Sequence, residues 1–336
     1  MSLIPEVESS ETSALGSDAA PVRVLYLGGL GRSGTTVLER VVGQLPGTCS
    51  VGEVVHLWQR GVLDDETCGC GQAFWACPFW TEVGHRAFGG WSADLAHRMR
   101  ALQRRVDRTR HVPLLALPRL PGRRRSERDE YAGAFRRLYR AIAEVSGSPV
   151  VIDSSKHSSL AFCLRREPGL DLRVVHVVRD SRGVAYSWTK EVRRPESDAG
   201  EDLMTRYSPS QSAALWTGHN LLFTVLRLLG TPVLLLRYED FVEAPRRRVG
   251  ELADFAELPT SDRWADFVDD STVDLTPTHT VAGNPVRFRS GPLTLRRDDA
   301  WHDRLPRRRR ILVTLLTFPL LARYGYLRAP DDRTGA

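Results

Sequence analysis

A glycine-rich loop between a predicted strand and a predicted helix is the first feature with evident chemistry. The apolar strand Arg23–Leu27 leads into the loop Gly28–Thr36, which reads GGLGRSGTT, and a helical pattern follows over Thr35–Gln44. In a strand–loop–helix arrangement, successive backbone N–H groups and the N-terminus of the helix bind an anion. Glycines let such a loop turn tightly and approach its ligand without a Cβ in the way. The loop therefore predicts a phosphate-binding site.

This loop departs from the nucleoside-triphosphate P-loop at one position. Gly29 and Gly34 have the spacing of that motif, but Thr35 stands where the motif requires lysine. The cation is instead Arg32, inside the loop. The loop thus lacks the lysine that contacts the β- and γ-phosphates of ATP.

A second apolar strand also ends in groups that can bind a phosphate. Leu172–Val178 is rich in β-branched residues and leads directly to Arg179. Ser187 follows eight residues later, two turns along a helix predicted over Ser181–Lys190. An arginine fork and a hydroxyl can hold a phosphate together, at the strand end where ligands of open α/β sheets bind.

A third apolar strand, Pro149–Ile152, is followed by the polar stretch Asp153–His157. We expect Lys156 to lie at the same sheet edge as the glycine-rich loop. A lysine at the start of a helix is poorly placed next to the helix dipole, which favours a functional role for it. A fixed ammonium can stabilise charge that develops on a leaving-group oxygen.

These motifs together resemble those of sulfotransferases that use 3′-phosphoadenosine 5′-phosphosulfate (PAPS). A basic residue followed by Ser-Gly-Thr-Thr resembles their 5′-phosphosulfate loop, and the Arg179/Ser187 pair resembles their 3′-phosphate site. The segment around Tyr238 resembles their nucleotide-side segment, and the basic loop with Arg287 resembles the late loop that closes over the 3′-phosphate, with Arg289 as the alternative. The resemblance implies that the nucleotide is bound by Gly31, Arg32, Ser33, Gly34, Thr35, Thr36, Arg179, Ser187, Tyr238 and Arg287.

The resemblance also implies a reaction and its catalytic groups. PAPS would give its sulfuryl group to an acceptor hydroxyl, on a carbohydrate, a tyrosine or a small metabolite, and leave adenosine 3′,5′-bisphosphate. Lys156 matches the lysine that neutralises the bridging oxygen. For the base we favour Glu53, since a glutamate after glycine matches tyrosylprotein sulfotransferases, with His157 as the rival and His56 as a weaker third candidate. No metal is required by this mechanism.

Two other function classes compete with this interpretation. One is a P-loop phosphotransferase that uses ATP and Mg²⁺. Thr35 argues against it, because the motif of these enzymes requires lysine at that position. The other is a non-catalytic protein that binds a nucleotide or a nucleic acid, since the chain carries a net charge of +6 and several arginine runs. Those runs are scattered among acidic residues, and an anionic small ligand explains the charge equally well. We therefore predict no nucleic-acid partner; the oligomeric state is not predicted.

Three of the five cysteines, Cys68, Cys70 and Cys77, are close in sequence. A structural zinc site requires a fourth ligand, for which the sequence offers His85, Cys49 or His56. A disulfide or simple buried thiols are plainer interpretations. Buried thiols are favoured in a reducing cytosol.

Strand and helix patterns alternate through most of the chain, which predicts an α/β fold with a central parallel sheet flanked by helices. We expect a disordered tail over 1–20 and a single domain over 21–330.

The start of the chain has no signal-peptide pattern, and the apolar stretches are too short or interrupted to span a bilayer, so we expect a cytoplasmic protein without a membrane partner. The remaining predicted elements are an extended piece over Cys49–Glu53, helices over 91–108, 127–145, Ser158–Arg166 and 210–229, a strand over Val233–Arg237, and irregular segments over His111–Arg125, 193–209 and 276–293.

Overall fold

A five-stranded parallel sheet forms the centre of the protein. The computed structural model describes residues 20–117, 122–191, 205–258, 266–269 and 271–327. The strand order is β2-β3-β1-β4-β5, and every neighbouring pair is parallel. The strands are β1 (Val22–Gly28), β2 (Thr48–Ser50), β3 (Val150–Lys156), β4 (Leu170–Val178) and β5 (Val233–Arg237).

Helices cover both faces of this sheet. The residues of β1 alternate between two apolar clusters: Val24 and Tyr26 pack in one, and Leu25 and Leu27 in the other. Because both faces are buried, the strands have continuous apolar runs rather than a strict alternation of apolar and polar residues. The predicted α/β fold with a central parallel sheet is confirmed. The helices are α1 (Thr35–Val42), α2 (Pro78–Phe88), α3 (Ala93–Val106), α4 (Val112–Leu115), α5 (Gly122–Ser146), α6 (Ser158–Leu164), α7 (Ser181–Thr189), α8 (Pro209–Leu228), α9 (Tyr238–Glu243), α10 (Pro245–Phe255), α11 (Trp301–Arg304) and α12 (Arg307–Arg323).

Strand β3 continues four residues beyond its predicted end at Ile152. The added residues are polar, and they remain in the sheet because their side chains are hydrogen-bonded inside the protein. Tyr139 donates its hydroxyl proton to Asp153 at 2.6 Å, and Ser154 donates to Glu39 at 2.6 Å. The extension brings Lys156 to the edge of the sheet beside Gly28 of β1.

Other segments differ from the sequence-based expectations. The stretch 111–125, expected to be irregular, contains α4 and the start of α5, while 118–121 lie outside the described residues. The expected loop over 276–293 contains a 3₁₀ helix, Pro285–Phe288, and the start of β7 (Gly291–Thr294), which pairs antiparallel with β6 (Thr272–Leu275). These pieces are short, and their positions depend on contacts with distant parts of the chain.

The expected tail over 1–20 falls outside the described residues except for Ala20, and 193–204 of the expected irregular segment 193–209 also fall outside them. No helix in the described part of the chain combines the length and the apolar character needed to cross a bilayer.

Candidate functional site

A cavity of about 690 Å³ opens where β1, β3 and β4 end. This volume is within the range of small-molecule sites, which is roughly 300 to 1,000 Å³. All the predicted site residues except Ser33 and Arg287 line it: Gly31, Arg32, Gly34, Thr35, Thr36, Glu53, Lys156, His157, Arg179, Ser187 and Tyr238. The strand ends thus bring together groups that are far apart in the sequence.

The glycine-rich loop has a backbone conformation that suits an anion. Gly34 precedes α1 with a φ of 86°, and a Cβ at this position would lie 2.2 Å from the Tyr238 ring. Arg32 also has a positive φ, 74°. Since Gly34 has no side chain to cap α1, the first N–H groups of this helix are left for a ligand or solvent. A phosphate or sulfate group fits these donors.

Lys156 and Glu53 form an ion pair inside the cavity, between Nζ and Oε1. His56 Nε2 lies 3.6 Å from the other carboxylate oxygen of Glu53. Burial by itself would raise the pKa of Glu53, but the Lys156 ammonium and the neighbouring histidines hold this pKa below its usual value. Lys156 has a φ of 68°, a conformation that is costly for a residue with a Cβ and is often found at functional sites.

His157, the rival base, lies on the same wall of the cavity. Its backbone carbonyl accepts a hydrogen bond of 2.7 Å from the Tyr26 hydroxyl, and its ring meets that of His56 edge-on at 5.8 Å between centroids. His219 of α8 also lines the cavity, and burial lowers the pKa of His219 to about 4. The cavity therefore contains two further imidazoles beside the predicted bases Glu53 and His157.

Glu39 on α1 is a buried carboxylate that positions the segment carrying Glu53. It accepts hydrogen bonds from Ser50 Oγ at 2.5 Å, Gly52 N at 2.8 Å and Ser154 Oγ at 2.6 Å. These hydrogen bonds join α1 to β2 and β3. The bond from Gly52 fixes the backbone one residue before Glu53. Glu39 was not predicted from the sequence as a site residue. Its place among the apolar residues of α1, three residues before Val42, was a signal for a buried carboxylate.

Arg179 follows β4 and is held by three neighbours. Its guanidinium donates to the Arg32 carbonyl at 3.1 Å and to Asp298 Oδ2 at 3.1 Å, and it lies over the Tyr238 ring, 5.4 Å from the centroid. Lys190 Nζ lies 3.3 Å from the same Asp298 oxygen. Two cations thus converge on one carboxylate at the cavity wall, an arrangement that also suits a phosphate.

Ser33 and Arg287 are the two predicted nucleotide-binding residues that do not line the cavity. The Arg287 side chain is buried and donates to the backbone carbonyls of Thr280 and Thr67, each at 2.8 Å. Ser33 is also buried, and its backbone N–H donates to the Leu30 carbonyl. Arg287 thus connects two segments of the chain.

A sequence model described as "Sulfotransferase family" matches residues 25–262. The chain belongs to this family. A search of curated proteins gives no match.

The sulfotransferase is also similar to solved structures at low sequence identity. The sulfotransferase domain of the Synechococcus olefin synthase is 20% identical, with a TM-score of 0.49, over 95% of this chain and 100% of that domain. The sulfotransferase domain of the curacin biosynthetic pathway is 14% identical, with a TM-score of 0.44, over 88% and 97%. A Mycobacterium tuberculosis sulfotransferase is 14% identical, with a TM-score of 0.41, over 74% and 70%.

The sulfotransferase cavity extends beyond the phosphate loop to a polar wall. The π-helix Leu57–Leu63 and the residues after it contribute Gln59, Arg60, Asp64 and Glu66. π-Helical turns are rare in proteins, and those that occur are often at functional sites. The aromatic residues Phe74, Trp80 and Trp91 pack against one another in the core and are absent from the cavity lining.

Proposed function

We propose that this sulfotransferase moves the sulfuryl group of PAPS to an acceptor hydroxyl. The observation that carries the proposal is the Lys156–Glu53 ion pair beside the phosphate loop, inside one cavity. A cation for the leaving group and a carboxylate for the incoming hydroxyl are the two groups that in-line sulfuryl transfer needs.

The residues present fit the nucleotide by their chemistry. The N–H groups at the start of α1, the Arg32 side chain and the Thr35 and Thr36 hydroxyls would hold the 5′-phosphosulfate. Arg179 and Ser187 would hold the 3′-phosphate, with Tyr238 beside them. We assign the buried Arg287 a structural role instead of a nucleotide contact.

In the transfer, Glu53 accepts the proton of the acceptor hydroxyl while the oxygen of that hydroxyl forms its bond to sulfur. The bond between sulfur and the bridging oxygen of the phosphate breaks, and Lys156 stabilises the charge that develops on this oxygen. The products are the sulfate ester, adenosine 3′,5′-bisphosphate and a proton on Glu53.

The ion pair links donor binding to the strength of the base. While Lys156 contacts Glu53, the ammonium lowers the pKa of the carboxyl and weakens it as a base. When Lys156 turns to the bridging oxygen, the effect of burial on Glu53 is offset less and the pKa of Glu53 rises. Glu53 thus becomes a stronger base only once the donor is in place.

The polar wall of the cavity is the basis for our proposal about the acceptor. Gln59, Arg60, Asp64 and Glu66 present hydrogen-bonding groups there, and the aromatic cluster around Trp80 is buried elsewhere. A polyhydroxylated acceptor, such as a carbohydrate, fits these groups better than an apolar one. We place the reaction in the cytoplasm, as the sequence predicts.

Calorimetric titration with adenosine 3′,5′-bisphosphate, against ATP plus Mg²⁺ at the same salt concentration, tests the nucleotide site. We expect the bisphosphate to bind without metal and more tightly than ATP. Turnover is then followed with sulfur-labelled PAPS and a panel of sugar and phenol acceptors. Binding of ATP with Mg²⁺ alone would refute the proposal and favour a phosphotransferase.

A further inference from the structure

Three thiols and one imidazole meet at a place that the proposed reaction does not use. The donor atoms of Cys68, Cys70, Cys77 and His279 all lie within 4.8 Å of one another. Cys68 and Cys77 are buried, and the other two residues are half-buried. His279 lies about 200 residues from the cysteines in the sequence, so only the tertiary structure brings the fourth group to this place.

The distances between these atoms match a tetrahedral zinc site. Cys70 Sγ lies 3.7 Å from Cys77 Sγ, and His279 Nδ1 lies 3.4 Å from Cys77 Sγ and 3.8 Å from Cys68 Sγ. With Zn–S bonds of about 2.3 Å and Zn–N bonds of about 2.0–2.1 Å, tetrahedral geometry requires S···S distances of about 3.8 Å and S···N distances of about 3.5 Å. These three distances therefore suit ligands around one ion, and every other pair of donor atoms lies within 4.8 Å.

The backbone around the cysteines is shaped for this convergence. The N–H of Cys68 donates to the Gln72 carbonyl at 2.7 Å, and the N–H of Gly71 donates back to the Cys68 carbonyl at 2.8 Å. Gly69 donates its N–H to the Thr280 carbonyl at 2.9 Å, and a Cβ at Gly69 would lie 2.3 Å from Thr280 Oγ1. Close approach of the cysteine loop to the segment of chain that carries His279 therefore depends on this glycine.

The histidine is also held in place by its neighbours. Its ring stacks on Phe79 at 4.5 Å between centroids, and its backbone carbonyl accepts a hydrogen bond of 3.0 Å from Trp80 Nε1. A fixed ring orientation is a property of built metal sites.

We propose that Cys68, Cys70, Cys77 and His279 bind one zinc ion in a closed, structural Cys₃His site. The ion is held by three thiolate sulfurs and by Nδ1 of the neutral imidazole, and the thiol protons still present are released to solvent on binding. Four protein ligands leave no open position, so the ion takes no part in sulfuryl transfer. None of the fourth ligands that the sequence offered is used: Cys49 lies on β2, His56 lies beside Glu53, and His85 is exposed on α2.

The consequence for the sulfotransferase is a fixed wall of its cavity. A few residues after His279, the N–H of Val281 donates to the Val51 carbonyl at 3.0 Å, and the Ala282 carbonyl accepts from the N–H of Glu53 at 3.2 Å. Gly283 and Asn284 then line the cavity. Zinc at His279 thus anchors the segment that supports the proposed base.

The test is metal analysis of the full chain purified without a metal-binding tag. We expect close to one zinc per chain by elemental mass spectrometry. Replacing the zinc with Co²⁺ should give the strong visible bands of a tetrahedral site and thiolate-to-cobalt charge transfer in the near ultraviolet. This spectrum reports the ligand set of the wild-type protein, so it does not depend on whether a variant folds.

Variants identify the ligands. Cys70→Ser and His279→Ala should weaken zinc binding by about 100-fold or more, since even groups that only contact the ligands contribute 10- to 100-fold. Cys49→Ser is the matched control, because Cys49 is half-buried and lies outside the cluster; it should keep full zinc content. A wild-type protein that neither contains zinc nor gives the cobalt spectrum, or equal zinc loss in the Cys49 variant, would overturn the proposal. None of these readouts depends on sulfotransferase activity.

Discussion

At the scale of single residues, the central question is which cavity side chain takes the proton from the hydroxyl group of the acceptor substrate. Glu53 contacts Lys156 and lies beside His56, and its backbone N–H and the preceding residue are held by hydrogen bonds from two sides. His157 lines the same cavity, and its ring meets the His56 ring edge-on. Both groups were predicted from the sequence, and mutagenesis can separate their roles.

Glu53→Gln should reduce kcat by about 10²- to 10⁴-fold, the range that general bases contribute. The amide keeps the size of the side chain, so the affinity for adenosine 3′,5′-bisphosphate should change by less than about threefold. Single-turnover assays and calorimetry measure the two quantities. The comparison variant is His157→Ala. If the glutamine variant is fully active and the alanine variant is inactive, the base is His157.

Asp298 provides a second prediction at this scale, since its carboxylate contacts both Arg179 and Lys190. A 3′-phosphate bound by Arg179 would compete with this carboxylate. Asp298→Asn should therefore tighten binding of the bisphosphate about two- to fivefold, because a partly exposed ion pair is worth about 1 kcal/mol or less. Calorimetry at fixed ionic strength measures the change, with Asp299→Asn as the control. Weaker binding in the Asp298 variant would mean that the carboxylate supports the nucleotide site.

At the scale of elements, strand ends and helix starts decide where the functional groups lie. β3 extends to Lys156 because Glu39 and Tyr139 satisfy its buried polar residues. Glu39 belongs to α1, so the helix that starts at the phosphate loop also holds the segment before Glu53. Donor binding and base positioning are thereby built on the same helix.

The contact between β4 and α8 predicts a pH effect on stability. His176 on β4 is buried, its Nε2 lies 2.7 Å from Asn220 Oδ1 of α8, and burial lowers its pKa to about 4. The unfolded chain binds a proton at this histidine below about pH 6.5, whereas the folded chain does so only near pH 4. Its contribution to stability is thus complete above pH 6.5 and is lost as the pH falls towards 4.

The His176→Gln variant has no imidazole to titrate at this position. Between pH 7.5 and pH 5, its free energy of unfolding should therefore fall by about 2 kcal/mol less than that of the wild-type protein. Urea unfolding of both proteins at the two pH values measures the difference. The variant is expected to be less stable at pH 7.5, so the relevant quantity is its change with pH. An equal change with pH in both proteins would contradict a neutral, buried His176.

At the scale of the whole molecule, the proposed nucleotide site joins segments from distant parts of the chain. The phosphate loop, the end of β3, the start of α7 and the segment 283–286 all border one cavity. A ligand there contacts all of them at once, and it binds only when the sheet is assembled. Binding should therefore stabilise the entire fold.

Adenosine 3′,5′-bisphosphate at 100 times its Kd should stabilise the protein by about 2.7 kcal/mol and raise Tm by about 5 °C without added metal. Differential scanning calorimetry measures the shift. Arg179→Ala should abolish it, because that variant loses the cation for the 3′-phosphate. A shift with ATP and Mg²⁺ but none with the bisphosphate would contradict the proposed ligand.

The sequence by itself determined the fold class, and it predicted the phosphate loop. Both follow from local order along the chain: apolar β-branched runs indicate buried parallel strands, and glycines between a strand and a helix indicate an anion site. The strand Val233–Arg237 was predicted with its observed bounds for the same reason. Lys156 and Arg179 were predicted because each closely follows an apolar run.

Only the tertiary structure decided which distant groups meet. His279 reaches the cysteines, Glu39 supports Glu53, and Arg287 is buried between Thr67 and Thr280. Nothing in the local sequence predicts such contacts, because they arise when loops and helices pack on the finished sheet and satisfy buried polar groups.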